Sequence, residues 1–78
     1  MIYKNVVIKS YLKHFRQAAK LSQWDLAALV GCSDTMIQLI EYGKTMPNLK
    51  LAYCLSAVIS EKVGYSVSIT DIFHFISN

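Results

Sequence analysis

The sequence contains only two cysteines, one proline and three glycines, and each scarcity removes a class of protein. Cys32 and Cys54 form no CxxC pair and have no histidine at ligand spacing, so neither a disulfide scaffold nor a zinc module is indicated. In a reducing compartment such thiols act as small hydrophobes, and no metal or cofactor is expected. There is no glycine-rich phosphate loop, and Asp25, Asp34, Asp71, His14 and His74 fall at no catalytic spacing, which argues against an enzyme. The longest near-apolar stretch, Leu51–Ile59, is broken by Cys54 and Ser56 and falls short of the roughly 18 residues of a membrane span. The opening MIYKNVVIKS has no sustained apolar segment leading to a small-residue cleavage site. A cytoplasmic protein with no membrane segment is therefore expected. Repeats and low-complexity segments are absent as well.

A chain of 78 residues is expected to form a single domain, residues 1–78. A hydrophobic fraction of 54% is more than so small a core can hide, so some apolar surface is expected to meet another chain. Charge is unevenly placed. Residues 1–50 carry Lys4, Lys9, Lys13, Arg16, Lys20, Lys44 and Lys50 against Asp25, Asp34 and Glu41, a balance of +4, whereas residues 51–78 carry Lys62 against Glu61 and Asp71, a balance of −1. An anionic partner at the basic end fits this pattern, as does a solvated charged face.

Periodicity and capping residues predict mostly helix. Ile8, Leu12, Phe15 and Ala19 recur at helical spacing, predicting a first helix from about Val6 to Ala19 with Asn5 as N-cap. Ser22-Gln-Trp-Asp25 has the form of a capping box and opens a second helix, Gln23 to Val30, that Gly31 ends. Ser33 caps a third helix whose inner stripe is Met36, Ile37 and Ile40, closed by Gly43. Asn48 caps a fourth, with Leu51, Ala52, Leu55, Val58 and Ile59 facing inward to about Glu61, and Gly64 stops it. Ser68–Asp71 opens a last short helix holding Ile72, Phe73 and Phe75. The alternation of Val63, Tyr65, Val67 and Ile69 allows a brief strand before that helix, and MIYKNVVI can supply an N-terminal strand or arm. In this division residues 1–5 are an arm, 6–61 a four-helix core, and 62–78 a linker and C-terminal helix. The turn Gly31-Cys32-Ser33 is too short to reverse the chain while both inner stripes stay buried, so the second and third helices must cross steeply, as in a helix-turn-helix.

These residues resemble the lambda-repressor/Cro-like, or Xre-type, helix-turn-helix family. The resemblance covers about Val7 to Ile59, and more loosely Val67 to Phe73. It is carried by Arg16, LSQWDLAALVG at 21–31, Ser33, Ile37, Ile40, EYGK at 41–44, and Pro47. It implies an all-α, compact five-helix domain whose second and third helices bind DNA, with Arg16 and Glu41 as a structural ion pair; the alternative for Glu41 is a solvated helix charge. The recognition helix, about residues 34–42, would lie in the major groove with Asp34, Thr35, Gln38 and Leu39 at the base edges. Gln38 suits adenine N6 and N7, and Thr35 and Leu39 suit a thymine methyl. Asp34 either accepts from cytosine N4 or serves its own helix N-terminus, and Leu39 either reads a base or packs beside the first helix. Gln23, Tyr42, Lys44, Thr45 and Asn48 would hold phosphates. Trp24 lies either along a sugar-phosphate strand or against the first helix. The reading surface lacks an arginine, which leans the operator toward A·T pairs.

The resemblance further implies a homodimer on a double-stranded operator with two-fold half-sites. Phe73, Phe75 and Ile76 are assigned to the dimer interface, the alternative being that they close the monomer's own core. His74 is expected to be packed or at the surface. With no second domain for cleavage or ligand sensing in view, the expected function is that of a small transcriptional repressor or activator of Cro or controller type. An antitoxin-like module, neutralising a toxin partner while regulating its own operon, is the rival reading.

Overall fold

Side-chain caps start four of the five helices in the computed structural model, which describes residues 6–77. The elements in order are β1 (Val6–Ser10), α1 (Leu12–Ala18), α2 (Gln23–Val30), α3 (Asp34–Glu41), α4 (Leu49–Val63), α5 (Ile69–Ile72) and β2 (Phe73–Ser77). At the head of α2 the Asp25 amide donates to Ser22 Oγ at 2.9 Å, and the Ser22 amide donates to the Asp25 carboxylate at 3.1 Å. Ser68 and Asp71 repeat this reciprocal cap on α5, at 3.1 and 2.9 Å. Ser33 Oγ and Asn48 Oδ1 accept the Met36 and Leu51 amides at the starts of α3 and α4. Each such cap satisfies amides that a helix start would otherwise leave unpaired, worth about 1 kcal/mol apiece.

Both capping carboxyls are held below the ordinary 3.8, first by the serine backbone amide and then by the serine hydroxyl. A depressed native value means that the stabilisation is present above the ordinary value and is lost as pH falls through the native one. Asp25→Asn and Asp71→Asn should therefore flatten the fall of Tm with pH below about pH 4. An acid slope identical to that of the parent protein would take these carboxylates out of acid unfolding.

The core lies where α1, α2, α3 and α4 converge, built from the fully buried Leu12, Leu26, Ile37, Ile40, Leu55 and Ile59. Ala27, 3% exposed, gives α2 the small side chain it needs to approach α3 closely. Gly31 closes α2 at φ +79°, a left-handed conformation that a Cβ would strain. Burial pushes the thiol of the neighbouring Cys32 up, as expected of a small side chain packed against the core.

The two ends of the chain depart from the helical expectation. Residues 6–10 form β1 rather than the opening turns of a helix, and α1 begins only at Leu12, with no side-chain cap at Tyr11. Val6, Val7 and Ile8 are β-branched and favour extended backbone, and a partner strand is at hand. β1 pairs antiparallel with β2, Val6 opposite Ser77 and Ser10 opposite Phe73. The expected cap Asn5 lies outside the described residues. The last helix is also shorter than expected: α5 stops at Ile72, and Phe73 turns into strand at φ −119°, ψ 117°. The expected strand over Val63, Tyr65, Val67 and Ile69 does not form. Val63 ends α4, and the Val67 amide and carbonyl are taken instead by the Ser60 hydroxyl, at 2.8 and 3.1 Å. Those hydroxyl bonds replace the ladder partners that a strand there would have required.

Candidate nucleic-acid interface

One face of α3 is sealed into the core and the other is open. Ile37 and Ile40 are fully buried, whereas Asp34, Thr35 and Tyr42 are exposed, Leu39 is 39% exposed and Gln38 is half-buried. This division follows from the 3.6-residue period, which gives α3 a narrow apolar stripe and leaves its other positions outward. Asp34 Oδ1 accepts the Thr35 amide at 2.9 Å, so its carboxylate is already engaged at the positive end of its own helix. Thr35, Gln38 and Leu39 remain as the side chains free to meet a partner.

The wedge formed by α2 and α3 is fixed from behind by a buried ionic network. Arg16 Nε donates to Glu41 Oε2 at 2.5 Å, and Nη2 reaches Oε1 at 3.4 Å. The two side chains are only 11% and 3% exposed. The third edge of the guanidinium, Nη1, donates to the Leu21 carbonyl at 3.0 Å. Gln23 Nε2 donates to Glu41 Oε1 at 3.0 Å. One carboxylate at the end of α3 thus ties together α1 and the first residue of α2. The sequence suggested Gln23 as a phosphate ligand, and its contact with Glu41 was not apparent. The Leu21 carbonyl, being backbone, left no sequence signal at all.

The remaining expected phosphate ligands lie past the end of α3. Tyr42, 72% exposed, is its C-cap, and Lys44, Thr45 and Asn48 follow on the exposed segment leading into α4. Gly43 makes this bend at φ +72°, where a Cβ would stand 3.6 Å from the Ile8 carbonyl of β1, and the Lys44 amide donates back to the Leu39 carbonyl at 2.9 Å. Trp24, beside Gln23 on the first turn of α2, is 71% exposed, so its ring projects into solvent and is not packed against α1.

Phe73 does not belong with the expected dimer surface. It is 1% exposed and closes the monomer's own core, because β2 enters the ribbon directly over α5. Phe75 is 54% exposed and Ile76 is 48% exposed. By the register, Phe73 and Phe75 share one face of the ribbon with Ser10 and Ile8, while Ile76 shares the other with Lys9 and His74. The strand leaves the core between Phe73 and Phe75. His74 packs at the surface against Tyr11, ring centroids 4.6 Å apart.

A helix α3 open on one face, a three-residue turn and a buried Arg–Glu brace are the architecture of a helix-turn-helix protein. A family profile described as helix-turn-helix matches residues 12–65, and the chain belongs to the Xre-type, lambda-repressor-like branch of that family. It is similar to an uncharacterized HTH-type transcriptional regulator of Methanocaldococcus jannaschii, 39% identical over 66 residues that span 85% of this chain and 91% of that protein. A second uncharacterized HTH-type transcriptional regulator, from Archaeoglobus fulgidus, is 37% identical over 68 residues, 87% of either chain. Among the described residues no helix is long and apolar enough to cross a membrane.

Proposed function

We propose that this protein is a sequence-specific, double-stranded DNA-binding transcriptional regulator that acts as a homodimer in the cytoplasm, with α3 in the major groove. The outward rim of α3 carries the reading: exposed Thr35 and Leu39 flank half-buried Gln38 on a helix whose opposite face is locked by Ile37, Ile40 and the Arg16–Glu41 brace. Two proteins similar to it carry the name HTH-type transcriptional regulator, which supports the regulatory part of this reading. Thr35, Gln38 and Leu39 contact base edges, while Tyr42, Lys44, Thr45 and Asn48 contact phosphate. Gln23 keeps its bond to Glu41 and offers its second amide hydrogen to a phosphate. With no cation among the base-reading side chains, the operator favours A·T pairs, read through adenine N6 and N7 and thymine methyls.

Fluorescence anisotropy on duplexes selected from a random pool tests this reading. Log affinity should fall linearly with log salt, with a slope near −0.9 for each phosphate contacted. Selection that returns no consensus, or binding indifferent to salt, would defeat it.

Dimerisation is assigned to the exposed end of the ribbon, Phe75 and Ile76. A half-exposed side chain contributes little to the monomer's own core, so Phe75→Asp should leave the fold intact and shift the protein to monomer in sedimentation equilibrium. Phe73→Ala should instead lower stability by roughly 3–5 kcal/mol. A Phe75→Asp protein that still sediments as a dimer would place the contact elsewhere.

A further inference from the structure

Read from the sequence as isolated small hydrophobes, the two cysteines line one cleft in the folded chain. Cys32 sits in the turn between α2 and α3, and Cys54 lies in the second turn of α4. Both are free and half-buried. They line the same cleft of about 260 Å³, together with Val30, Asn48, Lys50 and Leu51. The Asn48 carbonyl oxygen is committed to capping α4, which leaves two sulfurs, one ammonium and the neutral Asn48 amide nitrogen, a donor and no ligand, among the polar groups of these side chains.

That inventory is selective. Among the described residues no group of three or more His, Cys, Asp or Glu could hold a metal ion together, so the four-ligand shell that zinc requires is not supplied, nor is the oxygen shell of magnesium or calcium. Thiolate donors favour soft ions such as Cu(I), a d¹⁰ ion that accepts two-coordinate sulfur ligation. Two thiolates around a monovalent cation carry one net negative charge, costly in a half-buried cleft unless it is offset. Lys50 brings one positive charge to that cleft. A divalent soft ion would leave a neutral complex with no use for the ammonium.

We propose that Cys32 and Cys54 form a two-thiolate site for a soft monovalent d¹⁰ cation, Cu(I), with Lys50 as its charge partner. Binding releases two thiol protons to solvent and leaves the oxidation state of the ion and both sulfurs unchanged. The weak contact of Cys32 Sγ with the Ser33 carbonyl, 3.5 Å, is exchanged for a metal–sulfur bond. The ion then joins the helix-turn-helix turn to α4, two segments otherwise linked in this cleft only by packing.

Anaerobic titration of the reduced protein with Cu(I) held by a chromogenic chelator tests the site without any DNA, so its outcome is independent of the DNA-binding reading. A single equivalent per chain should be captured, with a rise in Tm that reflects binding to the folded form. Cys54→Ser and Cys32→Ala, each shown to be folded by circular dichroism, should both abolish capture, and Lys50→Gln should weaken it about tenfold. Failure to capture the ion with both thiols titrating as reduced would overturn the proposal. So would retained capture by either single-cysteine variant, or an ion shared between two chains. Unchanged affinity in Lys50→Gln would overturn the role of Lys50 as charge partner.

Discussion

Replacing Arg16 with methionine should lower the unfolding free energy by about 3–5 kcal/mol, the usual cost of stranding one member of a buried ion pair. Glu41, whose side chain is 3% exposed, would keep only the Gln23 amide as a donor. Replacing Glu41 with leucine should cost a similar amount, because Arg16 would retain only the Leu21 carbonyl. The double replacement should recover much of the loss, since removing both charges removes the desolvation cost that makes a half-broken pair expensive. For a domain of this size each kcal/mol moves Tm by about 4–8 °C, so thermal melts will separate the three variants. Losses under about 1 kcal/mol, typical of exposed pairs, would show that the brace contributes no more than a surface contact. The network also positions Gln23 and the end of α3, so the single variants should lose affinity for DNA at temperatures where they remain folded.

The second large effect concerns discrimination between DNA sequences. Gln38→Ala should relax preference at a single position of each half-site by about 1–3 kcal/mol, with little change on random duplex. Lys44→Ala should weaken specific and random duplexes alike and reduce the salt slope by about one phosphate. Competition assays against operators substituted one base pair at a time distinguish the two. Parallel losses on both kinds of DNA for both variants would show that α3 does not read bases through Gln38. Asp34→Asn should change preference little, because its carboxylate is already bonded to the Thr35 amide. A marked change there would return Asp34 to the reading surface.

The middle of the chain was legible because its signals are local. Ser22 with Asp25, Gly31, Ser33, Asn48 and Gly64 each act within a few residues, so the limits of α2, α3 and α4 follow from the text of the chain within about two residues. The Arg16–Glu41 pair spans 25 residues and was reached through family resemblance, not through spacing. Of the ribbon, only an N-terminal strand was offered, at MIYKNVVI, and neither its pairing nor the C-terminal strand was legible. Ile8, Leu12 and Phe15 satisfy a helical period, and so do Ile72, Phe75 and Ile76; the extended state is decided by pairing between segments at opposite ends of the sequence. The same blindness placed Phe73 at a partner surface, since only its position over α5 reveals that it is core. Likewise, nothing local brings Cys32 and Cys54 to one cleft.

The pairing of Val6 with Ser77 and of Ser10 with Phe73 has a kinetic consequence. Nearly the whole chain must be looped before the first rung can close, and that closure entropy is recovered only once the intervening helices are in place. The ribbon should zip last and open first, exchanging its amide hydrogens sooner than α2 or α3 does. Deleting either strand would strip the other of its partners, so damage at one end of the sequence is transmitted to the other.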